Sequence, residues 1–357
     1  MNFNDYKVQK IVQETDDTRT FYLDVNPELR DFKAGQYITI SAMINGEEIR
    51  RSYSLCTAPF EELFGFTIKR VKGGIMSNYL HDQISEGDNL SISGPEGKFI
   101  IEPQADIQRD HYFFAAGSGI TPVMAMIKTI LKEEPMSTCY LLYGSRSEKQ
   151  IIFKDQLKKM QNQHTDQFYL VHTLSQPLKE KVSGLSGIFG KTRTAWTGEK
   201  GRISSPKIKD FISKYTSKSG RSSFYLCGPG SLIEEGENTL LDLGEAKENI
   251  YKEFFTTKIS KPGTGNLGSL TIELEKQTHV IQIQADETIL EAALRENLDA
   301  PHSCTSGACS SCLAKLSKGE VKMDVCYALE DDEIEDGYIL TCQARLISDS
   351  ATLTYDV

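Results

Sequence analysis

The chain has 357 residues, 39% of them hydrophobic and 25% charged, with a formal net charge of −10. That length exceeds what a single growing core takes up, so two or three domains are expected, with the composition of an ordinary globular protein. No apolar run approaches the roughly 18 residues of a membrane span, and the net acidity argues against nucleic acid as a partner.

Residues 1–104 read as short strands divided by turns: Tyr6–Glu14, Arg19–Asn26, Gln36–Ala42, Glu47–Leu55, Phe64–Lys69 and Asn89–Ser93. Many short strands without a long helix predict a small antiparallel β-barrel. One short helix is expected over Ser77–Gln83, with Ser77 as its cap. From residue 105 to 257 strand and helix alternate. Strands are predicted at His111–Ala116, Thr138–Tyr143, Phe168–Leu174 and Ser222–Cys227, and helices at Thr121–Glu133, Phe153–Gln161 and Ser231–Leu243. In the first of these helices Val123, Met126, Ile127, Ile130 and Leu131 share one face. This rhythm implies an α/β unit whose parallel sheet is covered on both sides. The polar, glycine-rich stretch Ser175–Pro206, with the only tryptophan, Trp196, is long for a connection. It is either a solvated insertion or a covering loop.

Residues 258–268 have the composition of a linker. Residues 269–357 then open with a hairpin, Ser269–Glu275 and Thr278–Gln284, and a helix over Thr288–Asn297. From Gly263 onward there are 17 Asp and Glu against 6 Lys and Arg, so the acidity of the chain is concentrated here. This charge suits docking on a basic redox partner, or simply a solvated surface, and the acids Glu330, Asp331, Asp332, Glu333, Glu335 and Asp336 form its densest run. The start, Met1-Asn2-Phe3-Asn4-Asp5-Tyr6-Lys7, lacks the layout of a signal peptide. Eight unevenly placed cysteines are too few for a disulfide scaffold, which predicts a reducing, cytoplasmic setting.

Half of those cysteines carry the strongest motif. Cys304, Cys309 and Cys312 are spaced C-x4-C-x2-C, and Cys342 follows at a distance, the pattern by which four thiolates hold a [2Fe–2S] cluster. The loop between them, Thr305-Ser306-Gly307-Ala308 and Ser310-Ser311, is built of small residues that let backbone N–H groups approach sulfide. A structural zinc site is the alternative, although its cysteines usually come as two close pairs. Cys326 is extra to the four and reads as a core residue, and His302 as structural.

Arg51-Ser52-Tyr53-Ser54 ends a barrel strand, and Gly73-Gly74-Ile75-Met76-Ser77 follows it. A cation to pair with pyrophosphate, an aromatic to lie on a flat ring and a glycine-rich helix start to cradle an anion together read as a flavin dinucleotide site. Gly117-Ser118-Gly119-Ile120-Thr121-Pro122 follows a buried strand and opens a helix, the context that dinucleotide binding demands, with proline replacing the usual third glycine. After the next strand, Tyr143-Gly144-Ser145-Arg146-Ser147 offers Arg146 and two hydroxyls where a 2′-phosphate would sit. That favours NADPH, with Glu148 keeping NADH open. Cys227-Gly228-Pro229 closes the last strand, where Cys227 is small enough to lie under a nicotinamide. Glu253-Phe254-Phe255 brings an acid and an aromatic back toward the flavin, with a packed phenylalanine as the alternative for Phe254.

R-x-Y-S, G-x-x-S, G-x-G-x-x-P and C-G-P in this order resemble the ferredoxin–NADP reductase superfamily. With a plant-type ferredoxin domain at the C-terminus, the chain is similar to the reductase components of multicomponent oxygenases, above all the reductase subunits of ring-1,2-phenylacetyl-CoA epoxidases. The resemblance covers essentially the whole chain. It implies a multidomain fold: an FAD-binding barrel, an NAD(P)-binding α/β domain and an α+β, β-grasp-like ferredoxin domain. It also implies that Arg51 and, with it, Gly74 and Ser77 hold the FAD pyrophosphate, and that Tyr53 and Ser54 meet the isoalloxazine. Gly117, Gly119 and Thr121 would bind the nicotinamide nucleotide, Arg146 its 2′-phosphate, with Phe255 at the cofactor site. Ser54 and Cys227 would serve the reaction itself, and Cys304, Cys309, Cys312 and Cys342 would ligate the cluster. The implied function is transfer of electrons from NAD(P)H through FAD and the cluster to an oxygenase or another redox-acceptor protein, with no nucleic acid and no membrane involved. Other acceptors, such as a hybrid-cluster protein, a desaturase or a steroid hydroxylase, and a non-catalytic interaction role stand as alternatives. The stretch Gly187–Gly201 looks longer than in such relatives.

Overall fold

The computed structural model describes residues 1–181, 192–256 and 263–357. Parts of the long stretch Ser175–Pro206, of Gly187–Gly201 and of the expected linker 258–268 therefore lie outside the described residues. Three sheets organise the molecule. The first contains β1 (Asn4–Thr15), β2 (Thr18–Asp24), β3 (Tyr37–Ile44), β4 (Glu47–Ser54), β5 (Phe64–Lys69) and β6 (Asn89–Glu96), all antiparallel, in the order β4-β3-β6-β1-β2-β5. Its two outer strands meet where Leu55 bridges Phe66, so the sheet closes as the predicted barrel. Ile38, Ile40, Phe21, Leu23, Phe64, Phe66 and Ile68 alternate inward and fill it.

The barrel helix runs Ile75–Asp82 with Gly74 as its N-cap, which corrects the start predicted at Ser77. Gly73 takes φ +75° and turns the chain early, so Ser77 falls inside the first turn. Its hydroxyl accepts the amide of Val71 at 3.1 Å instead of capping the helix.

The second sheet is parallel throughout. It comprises β7 (Asp110–Ala116), β8 (Thr138–Ser145) and β9 (Phe168–Leu174), then, after a small antiparallel pair β10 (Lys179–Lys181) and β11 (Thr192–Thr194), β12 (Glu199–Lys200), β13 (Ser222–Pro229) and β14 (Ile250–Thr256). The order is β12-β9-β8-β7-β13-β14. Alternation along β7 shows why both faces are dry. Phe113 and Ala115 pack against the helix Ile120–Glu133, while Tyr112 and Phe114 pack with residues of the helices Ser205–Lys214 and Gly230–Asp242. Ala34, Cys56, Phe99 and Ile101 of the barrel join the first of these cores, so the two sheets share an apolar seam. Trp196 packs on that core as well, and its indole N–H donates to the Glu199 carbonyl at 2.8 Å.

The third sheet is mixed: β15 (Gly268–Leu274), β16 (Gln277–Ile283), β17 (Leu313–Lys318), β19 (Tyr338–Leu340) and β21 (Ser350–Thr354), in the order β16-β15-β21-β17-β19, with β15 and β21 parallel. β18 (Val321–Met323) and β20 (Ala344–Leu346) pair beside it. The helix Ile289–Arg295 packs Ile289, Leu290, Ala292 and Ala293 onto this sheet, and Thr288 with Glu291 forms its capping box. A mixed sheet crossed by one helix is the β-grasp-like arrangement expected.

Candidate functional site

β4 carries the first group of site residues. Its register with β3 sets Ser54 opposite Tyr37 and Ser52 opposite Thr39. Arg51 and Tyr53 are half-buried and Ser54 is buried. Tyr53 leans on Phe66, ring centroids 6.1 Å apart. Nearby, the helix Ile75–Asp82 has no side-chain cap at its N-terminus. Gly73, Gly74 and Ile75 there, with Met43, Ile44 and Asn45, line a cleft of about 470 Å³. A Cβ on Gly74 would come within 2.7 Å of the Ser77 hydroxyl and 3.0 Å of Val71 Cβ, so the tight turn leaves no room for a side chain there. Uncapped amides beside open space fit a phosphate. The Ser77 side chain itself is buried and already engaged with Val71.

The second group sits where β7 and β13 end. Gly117 has φ +58°, and nothing lies within 4 Å of where its Cβ would be, so its backbone faces open space. Its carbonyl is held by the Tyr143 hydroxyl at 2.9 Å. Gly119 is the opposite case. A Cβ there would lie 2.2 Å from the Cys227 carbonyl oxygen, which makes it the glycine that lets the helix Ile120–Glu133 seat against β13. That helix also starts without a side-chain cap, a fit for a dinucleotide phosphate. Thr121 is buried and donates to the Ser118 carbonyl at 2.9 Å. Arg146 is exposed at the end of β8, while Glu148, the acid next to it, accepts the Leu178 amide at 2.9 Å.

β14 lies in register with β13 and sets Glu253 beside Cys227. Glu253 Oε2 accepts from the Ser54 hydroxyl at 3.3 Å and faces the Cys227 thiol at 3.8 Å. One carboxylate thus joins the barrel strand to the end of the parallel sheet. Burial pushes the Glu253 carboxyl up to about 8, more than Ser54 and Cys227 pull it down, so it is mostly neutral at pH 7. Burial, and secondarily this acid, pushes the Cys227 thiol well up. Phe255 packs on the core beneath, while Phe254 is buried and packs at a tilt against Tyr327 with centroids 4.4 Å apart. The Glu253-Phe254-Phe255 triplet thus splits between a polar site and two packing contacts.

The third group is the cysteine loop. The four thiols approach in two pairs. Hydrogen bonding from Cys309 holds the Cys304 thiol well below its ordinary value, and Cys312 lowers Cys342 in the same way. The amides of Ser306 and Cys309 donate to Cys304 Sγ at 3.4 Å, and Gln343 Nε2 donates to Cys342 Sγ at 3.8 Å. Thr305 and Gly307, with φ of +52° and +73°, curl the backbone around these sulfurs. Two thiols for each of two irons is the donor set of a [2Fe–2S] cluster, whereas zinc takes four around one ion. Among the described residues no three His, Cys, Asp or Glu side chains converge on a single ion position. Cys326 packs at the edge of the core that contains Cys312 and Cys342, and His302 Nδ1 is bonded to the Ala300 carbonyl at 2.8 Å.

The acidic run does not simply face outward. Glu333 pairs with Lys98 of the barrel, and Asp331 lies 3.1 Å from Lys247. Glu330 lies 3.8 Å from Lys252 of β14. Asp332, Glu335 and Asp336 are exposed. Arg50, buried under the loop, bonds Glu48 and Asp299, both at 2.9 Å.

Comparison with known proteins agrees with this division. The family model of the oxidoreductase FAD-binding domain matches residues 5–101, that of the oxidoreductase NAD-binding domain 113–237, and that of the 2Fe-2S iron-sulfur cluster binding domain 272–346. A subunit of the 1,2-phenylacetyl-CoA epoxidase from Escherichia coli (strain K12) is 30% identical over 99% of this chain and 98% of its own. The ferredoxin reductase component of 3-ketosteroid-9-alpha-monooxygenase from Rhodococcus rhodochrous is 28% identical over 98% and 95%. The solved structure of phthalate dioxygenase reductase has the same fold, with a TM-score of 0.61 at 24% identity over 99% of this chain and 98% of that one. Among the described residues no helix is long and apolar enough to cross a membrane. A flavin barrel, a nicotinamide sheet and a cluster-binding sheet in one chain make this an oxidoreductase, and it belongs to the family of oxygenase reductases that includes this phenylacetyl-CoA epoxidase component.

Proposed function

We propose that the protein takes electrons from NADPH and delivers them one at a time to an oxygenase, of which a phenylacetyl-CoA epoxidase is the best candidate. The observation that carries the path is the position of β4. Ser54, at its end, touches the nicotinamide-side residue Glu253, and Ser52, two residues earlier, touches the cysteine loop. When bound, the flavin supplies the exchange between a two-electron hydride donor and a one-electron cluster.

The chain's own residues bind, orient and exclude water. Arg51 and the amides that follow Gly74 hold the flavin pyrophosphate, and Tyr53 and Ser54 fix its ring. Ser77 supports that turn through Val71. Gly117 and the start of the helix Ile120–Glu133 receive the nicotinamide nucleotide, with Gly119 and Thr121 shaping the turn and Arg146 meeting the 2′-phosphate. NADPH is favoured over NADH because Glu148 is already bonded to the Leu178 amide while Arg146 is exposed. Cys227 bounds the nicotinamide position, Phe255 packs beneath it, and neutral Glu253 holds a proton at its carboxyl beside Ser54 Oγ. Cys304 with Cys309 and Cys312 with Cys342 hold the two irons. Residues 1–104, 105–257 and 269–357 are taken as the three working units, joined by 258–268.

The epoxidase reading rests on the 30% identity to the epoxidase component over nearly the whole chain. Nearly equal identity to the steroid monooxygenase component supports a second reading, in which another oxygenase is the acceptor. Anaerobic titration with NADPH and NADH, followed by turnover with purified phenylacetyl-CoA epoxidase and a steroid monooxygenase, tests both. Bleaching of flavin and cluster with productive turnover of the epoxidase is expected. Turnover with the steroid enzyme alone would replace the first acceptor by the second.

A further inference from the structure

Two hydroxyl contacts cross between the barrel and the cysteine loop, and both fall at meaningful places. Ser52 Oγ lies 2.7 Å from Ser303 Oγ, and Tyr37 OH lies 3.2 Å from Ser311 Oγ. On the loop side, Ser303 immediately precedes Cys304 and Ser311 immediately precedes Cys312, one cysteine from each thiol pair. On the barrel side, Ser52 stands between Arg51 and Tyr53, and Tyr37 is the β3 partner of Ser54. Both loop serines are buried, as is Tyr37. Each contact is held from a second direction. Thr39 Oγ1 lies 3.4 Å from Ser52 Oγ, Ser311 donates to Glu96 Oε2 at 3.2 Å, and Arg51 Nη1 donates to the Ser303 carbonyl at 3.4 Å.

We infer that Ser52 and Tyr37 are positioning residues for electron transfer from flavin to cluster: their hydroxyls pin the cysteine loop onto the strands that carry the flavin motif and provide bonded routes to the cluster ligands. This rests on the flavin-to-cluster path proposed above. Tunnelling through covalent and hydrogen bonds falls off less steeply than through a gap, so a contact that ends next to a ligand cysteine shortens the effective path. Two such contacts also fix orientation, which one would leave free. The step moves one electron out of the reduced flavin and into the oxidised cluster. No bond forms or breaks, and the hydroxyl protons stay in place. Neither residue touches the Glu253 side, so delivery from NADPH is separate from this control.

The test uses holoprotein of wild type, Ser52→Ala, Tyr37→Phe, the double variant and Ser52→Thr, with two readouts. Anaerobic stopped flow with NADPH separates flavin bleaching from cluster bleaching. The double variant is expected to slow the cluster phase about tenfold, the effect of losing two neutral hydrogen bonds, with the flavin phase unchanged and Ser52→Thr close to wild type. Hydrogen exchange on the resting oxidised proteins is expected to show lost protection over 303–312 in the double variant, with iron content and the EPR line shape of the dithionite-reduced cluster unaltered. A double variant that reduces its cluster at the wild-type rate and keeps that protection overturns the inference. If the double variant fails to retain flavin, Ser52→Ala alone decides by the same phases. A wild type whose flavin bleaches while its cluster never does overturns the electron path itself, and the exchange readout still judges the contacts.

Discussion

The two junctions of this molecule are built from different materials. Between barrel and parallel sheet the contact is mainly apolar and close: shared packing of Ala34, Cys56, Phe99 and Ile101, a half-buried acid, Glu253, between Ser54 and Cys227, and an ion pair of Lys128 with Glu61. Between barrel and cluster domain it is hydroxyl and ionic: Ser52 with Ser303, Tyr37 with Ser311, Arg50 with Asp299, Lys98 with Glu333. On the proposed path the first junction would handle a hydride and a proton, which demand fixed geometry within hydrogen-bond reach and a group that holds a proton. The second passes only electrons, which need nearness and orientation. Apolar seams stay shut, while exposed ion pairs release at little cost. The construction suits a permanent entrance and an exit that lets go of its cluster domain.

Removing the cluster cuts the second junction outright and gives the largest effect. Cys342→Ser takes away the partner of Cys312. Visible cluster absorbance and the reduced EPR signal are expected to vanish while NADPH still bleaches the flavin. Cys326→Ser, whose thiol only packs beside that core, is expected to keep both signals; the reverse pair of results would reassign the fourth ligand.

The next largest effect belongs to the entrance. Glu253→Gln removes the titrating proton but keeps the shape, and the rate of flavin reduction by NADPH is expected to fall about a hundredfold. Stability offers an independent check. The folded carboxyl titrates near 8, above the ordinary value of 4.5, so the folded state holds a proton that the unfolded chain releases in between. Stability contributed by that proton is complete below about pH 4.5 and is lost as pH rises through 8, on the order of 5 kcal/mol in all. Denaturant melts from pH 5 to 9 should show this decline in the wild type and a flatter profile in the variant. Arg146→Ala comes third: loss of a charged contact to a 2′-phosphate is expected to raise KM for NADPH about tenfold and leave NADH unchanged. Equal losses with both nucleotides would remove Arg146 from the phosphate site.

What the sequence discloses of these junctions follows from how local the information is. The cysteine spacing, R-x-Y-S and G-x-G-x-x-P are written within a few residues, and the structure places R-x-Y-S at the end of β4 and G-x-G-x-x-P at the junction of β7 and the helix Ile120–Glu133. The helix start is misread at Ser77 because a serine ahead of a helical pattern looks like a cap, and only the backbone shows that Gly73 turns the chain sooner. The helix Ser205–Lys214 goes unread because only Ile208 and Phe211 of its ten residues are buried, too thin an apolar stripe for periodicity to register. Least legible is the exit junction. Ser303 and Ser311 look like filler beside ligands until the fold brings Ser52 and Tyr37 against them. The acidic run reads as a face for an external partner, yet Glu330, Asp331 and Glu333 turn toward lysines of the same chain.

That inward turn yields the smallest prediction and the sharpest reading of how the exit opens. Lys98 comes from the barrel, and Lys247 and Lys252 from the parallel-sheet domain, so the pairs tie the cluster domain to both supports. Lys98 and Lys247 are more than half exposed, and Lys252 is shared with Glu237 at 2.8 Å. Exposed pairs of this kind contribute roughly 0–1 kcal/mol each and weaken with salt. Changing all three lysines to alanine is therefore expected to slow flavin-to-cluster transfer only about twofold to threefold. The salt dependence of that phase should disappear as well, because the charges that salt screens are gone. Phe254→Ala, which removes the apolar contact of the parallel sheet with Tyr327 of the cluster domain, is expected to slow the phase while leaving its salt dependence intact. If the triple variant instead keeps the wild-type salt profile, the ion pairs do not tether the domain, and the hydroxyl contacts with Phe254 hold it alone. If its slowing exceeds that of Phe254→Ala, the exit is an ionic latch, and a basic acceptor would open it by competing for Glu330, Asp331 and Glu333.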